Sequence, residues 1–201
     1  DLNDIFDSAK SFPIWNDGES YVMSITAEAQ TMFANQNMLD AAGVGVPTTF
    51  DELLSSGKKL KSGDVAGVAM RSKADGTAGS WPGGGFVFSN GGVIIQDGKC
   101  MLDSPEAIEA IHYYGTILKE AGPLGVGNYH WYECLNDYMQ EVCAIGMDSS
   151  NFATDIENPE KSNAAGHTTY GAMVSGPGKT AKPNMWHWMS GINSKSQNKA
   201  A

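Results

Sequence analysis

From residue 21 onward, short β-prone runs alternate with segments of helical period, and this alternation limits the chain to an α/β architecture more than any other feature. Tyr21-Val22-Met23-Ser24-Ile25 alternates and predicts a strand, after which Met32 and Phe33 lead into a short helix around 36–42 closed by Gly43. Thr49 and Glu52 stand at capping-box spacing, and Phe50, Leu53, Leu54 and Leu60 then recur at helical period. The run 65–70 (VAGVAM) reads as a buried strand. A second long helix is marked by Ser104 as cap, Pro105 at the first helical position and Gly122-Pro123 as the stop. Its apolar face is expected at Ile108, Ile111, Gly115 and Leu118. Further on, 132–140 predicts a helix, 142–147 a strand, 151–165 a loop or short helix, and 170–174 and 185–192 two more strands. Before all of these, 1–19 predicts a short helix and then a loop around Pro13 and Asp17-Gly18.

Charge narrows the function classes. Lys and Arg number 13 against 23 Asp and Glu, a net charge of −10, so the clustered cations that neutralise nucleic-acid phosphates are missing. No stretch approaches the roughly 20 apolar residues of a membrane helix. Cys100, Cys134 and Cys143 lack the CxxC spacing of zinc or redox sites. Buried free thiols are the simpler reading, with a Cys134–Cys143 pair as the alternative.

Catalytic and cofactor motifs fail one by one. Gly178-Lys179-Thr180 resembles the end of a phosphate loop, but Met173 stands where its first glycine belongs. Trp81-Pro82-Gly83-Gly84-Gly85 is not GxGxxG and reads as a turn entering a helix. His112, His130, His167 and His187 never reach HxxxH spacing, so no metal site is expected, and no cofactor either. What remains is aromatic: Asn128-Tyr129 before Trp131-Tyr132-Glu133, and Trp186-His187-Trp188, where alternation puts both tryptophans on one strand face. Core packing is the ordinary use of a lone Trp. Aromatics near Asp, Glu, Asn and Arg are also what carbohydrate recognition needs, because sugar C–H faces stack on π-surfaces while hydroxyls bond carboxylate, amide and guanidinium groups.

Two segments carry a family resemblance: 38–44 (MLDAAGV) through 48–54 (TTFDELL), and Asp97-Gly98-Lys99 followed by 102–107 (LDSPEA). With them the chain resembles the extracellular solute-binding proteins of bacterial ABC sugar importers, the family that includes maltose-binding proteins. Residues 122–129 (GPLGVGNY) leading into Trp131-Tyr132-Glu133, and the closing Trp186-His187-Trp188, are similar to its sugar-alcohol branch. The resemblance implies a type II periplasmic-binding-protein-like lobe, a mixed sheet flanked by helices. It also implies a whole protein of roughly 400 residues in two lobes, with ligand in the cleft between them. Residues 1–174 are then the second lobe, with hinge crossings near 21–25 and 171–175, and 175–201 return to an incomplete first lobe. On that reading this piece alone binds sugars weakly or not at all, and Trp186 and Trp188 lie exposed or self-associate with a neighbouring molecule.

The ligand-binding residues the resemblance implies are Asp148, Arg71, Glu28, Trp186, Trp188 and Phe152. Glu28 matches an acidic position after the first crossing, Arg71 an arginine of the polyol branch, and Asp148 the acidic end of a strand read into the cleft. Phe152 stands near a tryptophan of maltose-binding relatives, while Ala34 and Gln36 replace the family's usual tyrosine and lysine. A solvated carboxylate is the ordinary alternative for Glu28 and Asp148, as is a surface salt bridge for Arg71. The function implied is non-enzymatic capture of a neutral sugar or polyol in the bacterial periplasm or from a lipid-anchored position, with delivery to the transmembrane subunits of an ABC permease. The competing readings are a carbohydrate hydrolase using Glu28 and Asp148 as a carboxylate pair, and an interaction module presenting an exposed strand.

Overall fold

In the computed structural model, residues 5–15 and 17–199 are described; expectations that fall on 1–4, 16, 200 and 201 lie outside them. The elements run α1 (Asp7–Ser11), β1 (Met23–Asn35), α2 (Gln36–Ala42), α3 (Phe50–Leu60), β2 (Ala66–Ala69), α4 (Gly84–Ser89), β3 (Ile95–Gln96), β4 (Lys99–Cys100), α5 (Pro105–Ala121), α6 (Trp131–Met139), β5 (Cys143–Ser149), α7 (Ala153–Ile156), β6 (Thr168–Gly171) and β7 (Met185–Ser190). The chain divides into two compact units, 29–184 and a smaller one of 1–28 with 185–201.

In the larger unit the sheet order is β2-β5-β1-β6. β2 and β5 are parallel, with Val68 beside Ile145, whereas β1 is antiparallel to both β5 and β6. Alternation along these strands sorts the core into two layers. Met32, Val68, Met70, Ile145 and Met147 pack with Phe50 and Leu53 of α3, Phe86 of α4 and Ile117 of α5. Phe33 packs with Leu135 and Tyr138 of α6 and Ile156 of α7. Helices on both faces of a mixed sheet is the expected architecture. Gly146 is required where it stands, since a Cβ there would come within 2.0 Å of the Phe33 ring carbon Cε2.

Local chemistry sets the helix ends. Thr49 Oγ1 accepts from Glu52 N at 3.2 Å, and Glu52 Oε2 accepts from Thr49 N at 3.3 Å and Thr48 N at 2.7 Å, so α3 starts where the capping box places it. These donors hold the exposed Glu52 carboxyl below its ordinary range, the Thr48 backbone first among them. Gly43 ends α2 in the left-handed region at φ 60°.

The structure departs from the sequence reading in four places. β1 runs on through Met32 and Phe33 to Asn35, because its second half is held between β5 and β6, a tertiary support invisible in local pattern. β6 is Thr168–Gly171, so 172–174 lie outside any strand although Met173 and Val174 are buried. On α5, Ile108 and Ile111 face outward at 58% and 44% exposure, and Ala107, Ala110, Ile117, Leu118 and Ala121 form the core face. Tertiary packing decides this face: Ala107, Ala110, Ile117, Leu118 and Ala121 join the core cluster with residues of α3 and α4. Finally, Cys100 is an exposed thiol in a two-stranded hairpin that sequence gave no sign of, while Cys134 and Cys143 are buried and unpaired with each other. Burial pushes the Cys143 thiol up to about 12.

In the smaller unit β7 pairs with β1, and only His187 of β7 is buried, stacked on Phe12 with ring centroids 4.2 Å apart.

Candidate functional site

Two adjacent parallel strands end side by side, and each delivers one charged residue there. Asp148 is the penultimate residue of β5, and Arg71 follows β2 by two positions. Arg71 Nε donates to Asp148 Oδ2 at 2.7 Å and Nη2 donates to Oδ1 at 2.5 Å, a bidentate pair, and Ser149 N adds a third bond to Oδ1 at 2.7 Å. Asp148 is fully buried, and the Arg71 side chain is 14% exposed. Neither is therefore the solvated carboxylate or surface salt bridge that ordinary statistics favour. Such a pair is stabilising only when geometry is good and the remaining polar atoms are satisfied. Here both carboxylate oxygens are engaged.

The pair fixes the guanidinium. With Nε and one Nη2 hydrogen bound to Asp148, Nη1 and the outer Nη2 hydrogen have no acceptor among the described residues. The Trp81 ring lies 5.6 Å from Arg71 Cζ and covers the guanidinium. Tyr114 OH bonds the Arg71 carbonyl and holds the backbone in place. Burial is the main cause that raises the Tyr114 phenol, so it stays a donor at neutral pH.

Beyond Arg71, Ser72 N and Lys73 N both donate to Tyr129 O, at 2.8 and 2.9 Å, which ties this segment to the start of α6. Glu133 Oε2 accepts from His130 N at 2.9 Å and sets the first turn of that helix. Trp131 is 40% exposed and lies 6.0 Å from Phe152 and 5.7 Å from Tyr132, centroid to centroid. Phe152 is half-buried and leans on Phe33. The larger unit thus carries a guanidinium fork under an indole and a separate partly exposed aromatic surface.

The other three residues expected from sequence lie in or at the edge of the smaller unit. Trp188 Nε1 donates to Glu28 Oε1 at 2.8 Å. Trp186 and Trp188 share one face of β7, as alternation requires, in an edge-to-face pair 6.4 Å apart with about half of each side chain exposed. A different cavity, lined by Lys61, Asp64, Gly122, Tyr129 and Asp137, opens at the starts of β2 and β5, the ends away from Arg71 and Asp148. Two of its polar side chains are held within it, Lys61 Nζ donating to Gly122 O at 2.8 Å and Tyr129 OH to Asp137 at 2.6 Å.

Sequence reasoning missed Trp81. It read the WPGGG segment only as a turn entering a helix, which it is: a π-helical turn over Gly79–Gly83 runs into α4. The usable signal was an indole inside a glycine-rich turn, where small neighbours let a large ring approach another element. Among the described residues no group of three or more His, Cys, Asp or Glu is placed to hold a metal ion, and no helix is long and apolar enough to cross a membrane.

The family model of the bacterial extracellular solute-binding proteins matches residues 1–201. The chain belongs to that family. An erythritol/L-threitol-binding protein of Mycolicibacterium smegmatis is 22% identical over 219 residues, covering 99% of this chain and 45% of the relative. A solute-binding protein of Agrobacterium radiobacter K84 solved with ribitol superimposes with TM-score 0.89 at 25% identity, over 98% of this chain and 50% of that one. The maltose-bound MalE3 of T. maritima gives TM-score 0.87 at 20% identity, over 96% and 50%. The chain spans about half the length of these relatives. Its fold is that of the type II solute-binding proteins, and the hydrolase alternative finds no support. Asp148 holds Arg71 with both oxygens, whereas a carboxylate acting as acid or base must give and take a proton.

Proposed function

We propose that this solute-binding chain captures a neutral sugar or sugar alcohol for a bacterial ABC importer and delivers it to the permease subunits in the membrane. The observation that carries the reading is the buried Arg71–Asp148 pair beneath Trp81. It presents a rigid pair of donors at the spacing of two neighbouring oxygens, and its own charges cancel, so it suits hydroxyl groups better than a carboxylate or phosphate. A chain of net charge −10 also repels anionic ligands. Trp131, Tyr132 and Phe152 provide apolar faces for sugar C–H groups. The relatives support the ligand class, being named for erythritol and threitol or solved with ribitol and maltose.

In this reading residues 1–174 are the second lobe, with hinge crossings near 21–25 and 171–175, and 175–201 return to a first lobe. Transport follows from ligand stabilising one arrangement of the lobes that the permease recognises. The protein works outside the cytoplasmic membrane, free in the periplasm or anchored by lipid. Titration calorimetry of the full-length protein with erythritol, ribitol, D-mannitol, maltose and matching sugar acids tests the proposal. Binding of a neutral compound that is lost in Arg71→Met is expected; preference for the acids would refute it.

A further inference from the structure

We infer that Gln30 and Trp81 form a second polar subsite, at the glycine-rich turn whose indole covers Arg71, that recognises a hydroxyl group of the ligand, an inference that rests on the function proposed above. Gln30 is 1% exposed, and neither its Oε1 nor its Nε2 has a hydrogen-bond partner in the structure. The indole Nε1 of Trp81, a residue 5% exposed, is in the same condition. A buried polar atom left unpaired costs more than an ordinary hydrogen bond contributes, so each one demands a physical reason.

These atoms belong to one small region. The Gln30 amide lies so close to Gly85 that a Cβ there would come within 1.8 Å of Oε1. Gly85 is one helical turn beyond Trp81. Gln30 N donates to Asn184 O at 2.9 Å, and Asn184 Nδ2 donates to the carbonyls of Ser80 at 2.6 Å and Trp81 at 3.2 Å. On β1, Gln30 shares the sheet face of Met32, the face on which α4 packs. The Trp81 ring already covers Arg71. An amide donor and an amide acceptor thus meet the glycine-rich turn whose indole, itself with an unpaired donor, covers the guanidinium.

A hydroxyl group answers this set, since it accepts from one N–H and donates to the amide oxygen. A carboxylate accepts only and leaves Oε1 unpaired. Entry requires the Gly79–Gly85 segment to shift, and its build allows that: π-helical turns are concentrated at functional sites, this one contains Pro82, and Gly83, Gly84 and Gly85 follow without side chains. A hydroxyl-bearing ligand supplies the partners that these buried atoms lack.

The test compares wild-type full-length protein with Gln30→Met and Trp81→Phe. Calorimetry with erythritol, ribitol, D-mannitol and maltose gives Kd, and thermal unfolding without ligand gives Tm. Both variants are expected to weaken binding roughly tenfold or more, as the loss of a buried hydrogen bond predicts. Gln30→Met, which removes two unpaired atoms at similar volume, should also raise the ligand-free Tm by about 2–4 °C. An unchanged Kd in either folded variant overturns the inference, because the polar atoms are then satisfied by internal water and serve structure alone. Should Gln30→Met fail to fold, Trp81→Phe decides by the same criterion. A wild type that binds none of the four compounds overturns the proposed function instead.

Discussion

Asp148→Asn keeps the shape of the side chain and removes its charge, leaving the Arg71 guanidinium 14% exposed without a counter-ion. At a separation of about 4 Å and an effective dielectric of about 20, the lost attraction is about 4 kcal/mol, and breaking buried pairs by removing one partner costs about 3–5 kcal/mol. For a chain of this size each kcal/mol shifts Tm by about 2–4 °C, so thermal unfolding followed by circular dichroism should show a drop on the order of 10 °C. Ligand binding should be lost as well, because the fork is no longer held edge-on. The double variant Arg71→Met with Asp148→Leu should recover most of the stability and none of the binding, since apolar replacement of both partners removes the uncompensated charge. A drop below about 2 °C in Asp148→Asn would show that water reaches the pair, and the argument for a rigid, desolvated donor site would fall with it.

Gly146→Ala pushes a methyl into the Phe33 ring and should cost about 1–3 kcal/mol, read from the urea midpoint; a neutral result would mean that β1 and β5 yield at that register. On α5, replacing Ile108 and Ile111 by Gln should change stability by no more than about 0.5 kcal/mol per site, whereas Ile117→Ala should cost about 2–5 kcal/mol, the reverse of what periodicity alone implies. Thr49→Ala removes the cap of α3 and should cost about 1 kcal/mol in the same assay. The Glu52 carboxyl is lowered in the folded chain, so its contribution is present above its ordinary value of 4.5 and is lost as pH falls through the folded value. Urea midpoints taken from pH 6 to pH 3 should decline less steeply in Glu52→Gln than in wild type, and identical slopes would contradict the assignment.

Much of the fold was legible because helix ends are local chemistry. The Thr49 and Glu52 reciprocal cap, Ser104 with Pro105, and Gly43 each act within one turn, and the helices begin or end where those residues stand. The face of α5 was not legible: Ala107 and Ala110 are inside because α5 turns that side to α3 and α4, and which side a helix buries is decided by its distant neighbours rather than by its larger residues. The second half of β1 was lost for a similar reason, its strand character being supplied by β5 and β6 from distant parts of the chain.

The candidate site divides along the same line. By itself the sequence determined the family, the α/β class, the acidic surface and the residues Arg71 and Asp148 as chemistry in need of an explanation. Only the tertiary structure decided that these two form a closed bidentate pair, that Asp148 fixes Arg71 with both oxygens, that the Trp81 ring covers the guanidinium, and that the Gln30 amide is buried without a partner. Contacts within one helical turn follow from neighbours in the chain. Whether a carboxylate meets water or a guanidinium, and whether an amide is left unpaired under a glycine, depends on which distant strands and turns are brought to the same end of the sheet.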